Sequence, residues 1–348
     1  MKFIDLHCDT AGRILYENLN LKNELCKVNI ENLKKGGSLG QVFAFFVDQE
    51  LNDDSYDEFF KLYSRFMKEI KENFNEIEIV RSIEELKNVE KAGKIGAFLS
   101  IEEGEVIKGS INNLKKVYEM GIRILTITWN YKNQLGYPNV EYIHKDKGLT
   151  KKGIEVIEEC ENLGIIPDVS HLSDAGFYDL IKICKKPFIA SHSNARAITN
   201  HPRNLDDDMI KFLAKKGGVM GINFCSHFLG NKSVSSIEEM IFHIKHIKNV
   251  GGIDVLALGS DFDGIENEVE IKDASEFDKL YFALKNNNFK ELEIEKIFYK
   301  NVIRVFEETL KWYKIDVYKI NYIKRSWKAV DFSRDLIYII SLKKGKYE

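Results

Sequence analysis

Short apolar runs rich in β-branched and aromatic residues recur along the chain. Each is followed by a polar turn and then by a longer segment with apolar residues three or four apart. The runs are FIDL, QVFAFFV from Gln41, IGAFLSI from Ile95, IRILTIT from Ile122, GIIPDVS from Gly164, PFIAS from Pro187, GVMGINF from Gly218 and IDVLALGS from Ile253. Between them lie segments of helical period such as YDEFFKLYSRFMKEIKENF, SINNLKKVYEM, KKGIEVIEECENL, DDDMIKFLAKK and SIEEMIFHIKHIKNV. Strands apolar on both faces belong in a parallel sheet covered by helices, and eight of them alternating with helices predict a (β/α)8 barrel of the TIM type. An open doubly wound sheet is the alternative.

The strand ends favour the barrel, because there they would converge on one mouth. His7 and Asp9 follow the first run, Glu102 and Glu103 the third, Trp129 and Asn130 the fourth. His171 follows the fifth, His192 the sixth, Asn223 lies at the end of the seventh and Asp261 follows the eighth. In an extended strand His7 and Asp9 project the same way, so both can reach one cation. Imidazole and carboxylate together suit zinc, and a bridging carboxylate lets two cations share one site, with Glu102 as the bridge. His171 and His192 each follow a small hydroxyl residue directly after a β-rich run.

Arg203, in HPRNLDDD, offers a fork for a substrate carboxylate; the competing reading is a salt bridge to Asp206 or Asp207. Asp261, in LGSDFDG, suits proton handling or an ammonium group, whereas Asp263 before Gly264 reads as a turn residue. His243 and His246, three apart in a helical pattern, read as outward solvated residues, and His144 and His227 have no evident partner.

Composition narrows the class. The 348 residues are 44% hydrophobic with a net charge of -3, enough for a large core and without the basic field that nucleic acid or an anionic membrane demands. No basic leader or long apolar stretch opens the chain, and the five cysteines form no CxxC pair, so a cytoplasmic protein with reduced thiols is expected.

Taken together, IDLHCDT, GQVFAFFV, SIEEGE, LTITWN, DVSHLS, ASHSNARAI, HPRNLDDD, GGVMGINF, LGSDFDG and NVIRVFEE resemble, in order, the membrane dipeptidase (renal dipeptidase) family of zinc peptidases. The resemblance covers about residues 1–312, which implies one (β/α)8 catalytic domain of the metallo-dependent hydrolase kind and leaves 313–348 as a C-terminal extension of unknown role. It implies two zinc ions or other divalent transition metals, one on His7, Asp9 and Glu102 and the other on Glu102, His171 and His192. Arg203 would receive the substrate's carboxylate, with Trp129 and Asn223 also at the substrate, and Asp261 would serve beside the attacking water. The activity implied is hydrolysis of dipeptides, including those with a C-terminal D-residue, and the assembly implied is a homodimer. A binuclear amidohydrolase acting on a non-peptide amide, or a silent metal-binding barrel, are the competing readings.

The chain departs from the family's best-known members in four places. Their EGGH is Glu102, Glu103, Gly104, Glu105 here; the histidine after the fourth-strand threonine is Trp129; the tyrosine after Asn-Phe is Cys225; and a Pro-containing loop is replaced by IENEVEIKDASEF. An indole N–H can donate to an oxyanion but carries no charge.

Overall fold

A computed structural model describes residues 1–230 and 232–310; the expected extension at 313–348 lies outside the described residues. Eight parallel strands form the barrel: β1 (Phe3–Cys8), β2 (Ser38–Phe46), β3 (Ile95–Glu102), β4 (Ile122–Thr126), β5 (Ile166–Asp168), β6 (Ile189–Ala190), β7 (Val219–Ile222) and β8 (Leu256–Leu258). Neighbours pair in the order β2-β1-β8-β7-β6-β5-β4-β3, and β2 pairs with β3 to close the ring. The open-sheet alternative is therefore excluded. The register aligns Phe46 with Glu102, Glu102 with Thr126, and Thr126 with Asp168, which sets the upper ends of four strands at one level.

Ile4, Leu6, Val42, Phe98, Ile124, Ile166, Ile189, Val219 and Ala257 form one buried cluster with contributions from all eight strands, continued by Val302, Val305 and Phe306 of the helix Asn301–Thr309. The remaining core lies between the strands and the surrounding helices, as expected of strands buried on both faces. Helices begin where the sequence offers a cap. Asp54, Ser82, Ser110, Thr150, Ser173 and Asp206 each accept a backbone N–H from the first turn that follows, and Ser236 with Glu239 forms a capping box.

Three features differ from the sequence expectation. A short strand, Ile77–Ile79, pairs with β3 beside the point where β4 begins, a three-residue element too short for a periodicity signal. The eighth run opens as a 3-10 turn at Ile253–Val255 before becoming strand. Asp9 lies past the end of β1, at the cap of the helix Thr10–Tyr16 with φ -101° and ψ 18°, so a turn rather than strand alternation brings it to His7.

Candidate metal centre

His7, Asp9, Glu102, His171, His192 and Asp261 converge at the mouth. His7 Nε2 lies 3.1 Å from Glu102 Oε2, 3.3 Å from Asp9 Oδ2 and 3.8 Å from Asp261 Oδ1. The other Glu102 oxygen, Oε1, lies 3.1 Å from His171 Nε2 and 3.6 Å from His192 Nε2, so Glu102 stands between two sets of donors. The two sets that could hold an ion meet at His7: one with Glu102 and His192, the other with Asp9 and Asp261.

The protonation pattern of these groups tests whether a cation fits. His192 Nδ1 is 2.7 Å from Ser191 Oγ, whose own proton goes to Asp168 Oδ2 at 2.6 Å. With the Ser191 proton on Asp168, Nδ1 is the donor. His171 Nδ1 faces Asn130 Oδ1 at 3.2 Å and donates likewise. Both Nε2 atoms are left with bare lone pairs, yet they sit 3.1 Å apart beside a carboxylate oxygen. Three acceptors aimed at one another in a buried site repel unless a cation lies among them. Asp9 Oδ1, also buried, has no hydrogen-bond partner. The donor set and its unmet acceptors fit divalent metal ions.

Electrostatics agree. Burial opposes the charge on His7, but the Glu102 and Asp9 carboxylates raise its pKa well above the usual imidazole value. Burial pushes Glu102 up, and His7 and His171 more than reverse it, holding Glu102 below the carboxylate range. Burial, with Glu102 beside it, pushes Asp9 up to about 7 against the pull of His7. Burial and the Arg203 charge hold His171 down to about 4, and burial with His7 holds His192 well below its usual value.

Two further groups complete the mouth. Asp261 adopts φ 62°, with Oδ2 accepting from Asn223 Nδ2 at 2.9 Å and Oδ1 turned to His7. Gly264 makes this approach feasible, because a Cβ there would lie 2.1 Å from Asp9 Oδ2 and 2.9 Å from Asp261 Oδ1. Arg203 is 5% exposed, its Nη atoms reaching only Ser193 Oγ at 3.4 Å and the His192 carbonyl at 3.2 Å, with Nε unpartnered. Among the described residues no carboxylate lies within 4 Å of it; the ion pair with Asp174, bidentate at 2.8 Å, and Asp206 belongs to Arg196.

The structure sets the other singled-out residues as follows. Trp129 donates its backbone N–H to Glu103, and its ring stands 4.6 Å from Phe46, 5.5 Å from Tyr131 and 6.3 Å from His171. Beyond this wall Asn130 and Tyr131 line a cavity of about 440 Å³ with Gln49, Pro138, Val140 and Ile143. Asn223 is fully buried, its amide committed to Asp261, the His192 carbonyl and the Cys225 N–H. Asp263 proves more than a turn residue, accepting from Thr10, Arg13 and the backbone of Lys27 and Val28. His243 is not outward: it is fully buried between the Ala195 N–H and the Leu229 carbonyl, while His246 pairs with Asp207. Sequence reading put Asn130 at the mouth without a role and missed Asp168 and Gly264 as parts of the site, although the hydroxyl residue before each histidine was the visible trace of Asp168.

Comparison with known proteins gives the context. The sequence profile of the family "Membrane dipeptidase (Peptidase family M19)" matches residues 1–314. An uncharacterized dipeptidase of Schizosaccharomyces pombe is 29% identical over 342 residues, covering 88% of this chain and 80% of that one. A Rhodobacter sphaeroides metallopeptidase, solved with a phosphinate mimic of the dipeptide L-Ala-D-Ala, superposes with TM-score 0.81 at 22% identity, covering 89% of this chain and 99% of that one. The probable dipeptidase PvdM of Pseudomonas aeruginosa gives 0.78 at 18% identity, covering 89% and 96%. No helix among the described residues is long and apolar enough to cross a membrane.

Proposed function

Since the chain belongs to the membrane dipeptidase family, peptidase family M19, and is a metal-dependent dipeptidase, we propose that its centre holds two zinc ions and cleaves dipeptides bearing a free C-terminal carboxylate. His7, Asp9 and Glu102 would hold one ion, and Glu102, His171 and His192 the other. Bound there, two such ions supply a Lewis acid for the peptide carbonyl and lower the pKa of the attacking water.

The rest of the chemistry belongs to side chains. Arg203, a buried cation with no carboxylate within 4 Å among the described residues, receives the substrate's terminal carboxylate and fixes the scissile bond in the mouth. Asp261 takes a proton from the attacking water through Oδ1 and returns it to the leaving amine as the C–N bond breaks, while Asn223 anchors its other oxygen. The Trp129 ring, with Phe46 and Tyr131, flanks the substrate's side chain on the far side of His171.

The observation that carries the reading is the pair of bare histidine nitrogens 3.1 Å apart beside Glu102. The test is hydrolysis of L,L and L,D dipeptides by zinc-loaded protein with a chelated sample alongside. Metal-dependent release of free amino acids supports it. Protein that holds two zinc ions and cuts no dipeptide refutes it.

A further inference from the structure

Asp168 is a fully buried acid with no cation within 4 Å among the described residues, and the chemistry proposed above does not use it. It sits at the end of β5, opposite Thr126 on β4 and Ile189 on β6. Five donors reach its two oxygens. Thr126 Oγ1 is at 2.7 Å and Ser191 Oγ at 2.6 Å from Oδ2; Ser170 Oγ at 2.8 Å, Ser170 N at 3.1 Å and Ser191 N at 2.8 Å reach Oδ1. Carboxylate oxygens accept, and the shortest contact of the Ser191 hydroxyl, ahead of His192 Nδ1 at 2.7 Å and Ser170 Oγ at 3.0 Å, is the one to Asp168, which directs its proton there.

That direction propagates. With its proton on Asp168, the Ser191 hydroxyl offers only lone pairs to His192 Nδ1, 2.7 Å away, and Nδ1 must carry the ring proton. Nε2 then has none. Ser170 repeats the pattern, giving its proton to Asp168 and its lone pair to the His192 backbone N–H at 3.1 Å. Gly221 and Gly259 leave the room for this arrangement, since a Cβ on either would lie 2.1 or 1.9 Å from the Ser191 carbonyl.

We propose that Asp168 is a positioning residue that fixes the tautomer of His192 through Ser191, holding Nε2 unprotonated for a metal ion. The proposal rests on the metal reading above. An amide in its place breaks the logic with little change in shape. In Asp168→Asn the new Nδ2 donates to the Ser191 hydroxyl, which then turns its own proton onto His192 Nδ1. The ring must shift its proton to Nε2, where it competes with the metal.

The experiment measures zinc affinity by chelator competition and ring protonation by 15N shifts of histidine-labelled, metal-free protein. Wild type, Asp168→Asn, Ser191→Ala and the double variant are compared, with folding checked by circular dichroism. In Asp168→Asn, one of two zinc ions is expected to bind about 10 to 100-fold more weakly, and the His192 proton moves from Nδ1 to Nε2. The double variant binds no more weakly than Ser191→Ala, because Asp168 acts through that hydroxyl. A buried acid that only stabilises the fold would lower the melting temperature and leave the His192 tautomer alone. A folded Asp168→Asn variant with zinc affinity within about threefold of wild type and Nδ1 still protonated overturns the proposal. Should that variant not fold, Ser191→Ala decides: unchanged affinity and tautomer overturn it, and a loss of both supports it. Wild-type protein that takes up no zinc overturns the metal reading and this proposal with it.

Discussion

Replacing Arg203 by methionine is expected to separate substrate binding from stability. The guanidinium is buried and its pKa is held down chiefly by that burial, so the folded protein bears the cost of an under-solvated cation. What it gains in return is modest: one contact of 3.4 Å, one of 3.2 Å and stacking over Phe228 at 5.1 Å, with Nε left bare. A bare buried donor costs about 1 to 3 kcal/mol, and the two lost bonds contribute a similar amount, so the net change in stability should stay within about 1 kcal/mol. For a chain of this size that is a shift of about 2 °C in Tm. Binding behaves differently. A terminal carboxylate docked on this cation forms a buried, charge-assisted pair, and truncating such a pair costs about 2 to 5 kcal/mol. At tenfold per 1.4 kcal/mol, kcat/KM for a dipeptide should fall by about 30 to 4000-fold, carried mainly by KM. The control is the same dipeptide with its C-terminus amidated. Wild-type enzyme should discriminate strongly against it, and Arg203→Met should treat acid and amide alike. Unfolding of the variant, or equal wild-type rates on acid and amide, would refute the assignment and favour an amidohydrolase for carboxylate-free substrates.

Glu102→Gln keeps the size of the side chain but loses the charge that both sets of donors face; zinc stoichiometry below two and loss of all dipeptide hydrolysis, with an unchanged circular dichroism spectrum, are expected, and wild-type turnover would sink the bridging role. Gly264→Ala places a methyl 2.1 Å from Asp9 Oδ2, so zinc titration should show the Asp9 side of the centre weakened, whereas wild-type affinity would show that the turn yields freely. His243 carries an acid-stability prediction. Burial holds its pKa down to about 4 against 6.5 for a free imidazole, so below pH 6.5 the unfolded chain binds a proton that the folded one refuses. The stability is complete above pH 6.5 and is lost as pH falls towards 4, about 3 kcal/mol over the interval. Denaturant titrations at pH 7 and pH 4 should show His243→Gln losing less stability than wild type across that interval; equal losses would disprove it.

The barrel was readable because its strands repeat a strong signal, eight apolar runs each followed by a helical period. The cluster at the mouth was readable because a parallel barrel brings strand ends together whatever the loops do. Contacts made by turns were not. Asp9 meets His7 through the start of a helix, and Gly264 matters only because the chain folds Asp9 and Asp261 onto it. On paper Arg203 could pair with Asp206 or Asp207, and only the tertiary path of the loop gives Asp174 and Asp206 to Arg196, leaving Arg203 with no carboxylate within 4 Å among the described residues. His243 misled because helical spacing gives the face of a residue but not what covers that face.

The departures at Glu103, Glu105 and Trp129 look in sequence like separate substitutions, and the structure joins them. Glu103 is fully buried with φ 100°, a backbone state costing a non-glycine residue about 1 to 3 kcal/mol. Burial pushes its carboxyl up to about 7. Such a residue persists only where its surroundings over-determine it, and here three donors do so: the N–H groups of Glu105 and Trp129 and the amide of Asn133. Glu105 adds a bond from the Gln134 N–H. The two extra acids therefore act as a clamp on the loop after β4 rather than as added charge at the centre. That loop carries Trp129, whose ring flanks His171, and Asn130, whose carbonyl oxygen orients His171 Nδ1. A neutral indole can stand beside the centre because Glu103, next to Glu102, holds its backbone there, so the altered glutamate motif and the altered fourth-strand end form a single structural unit.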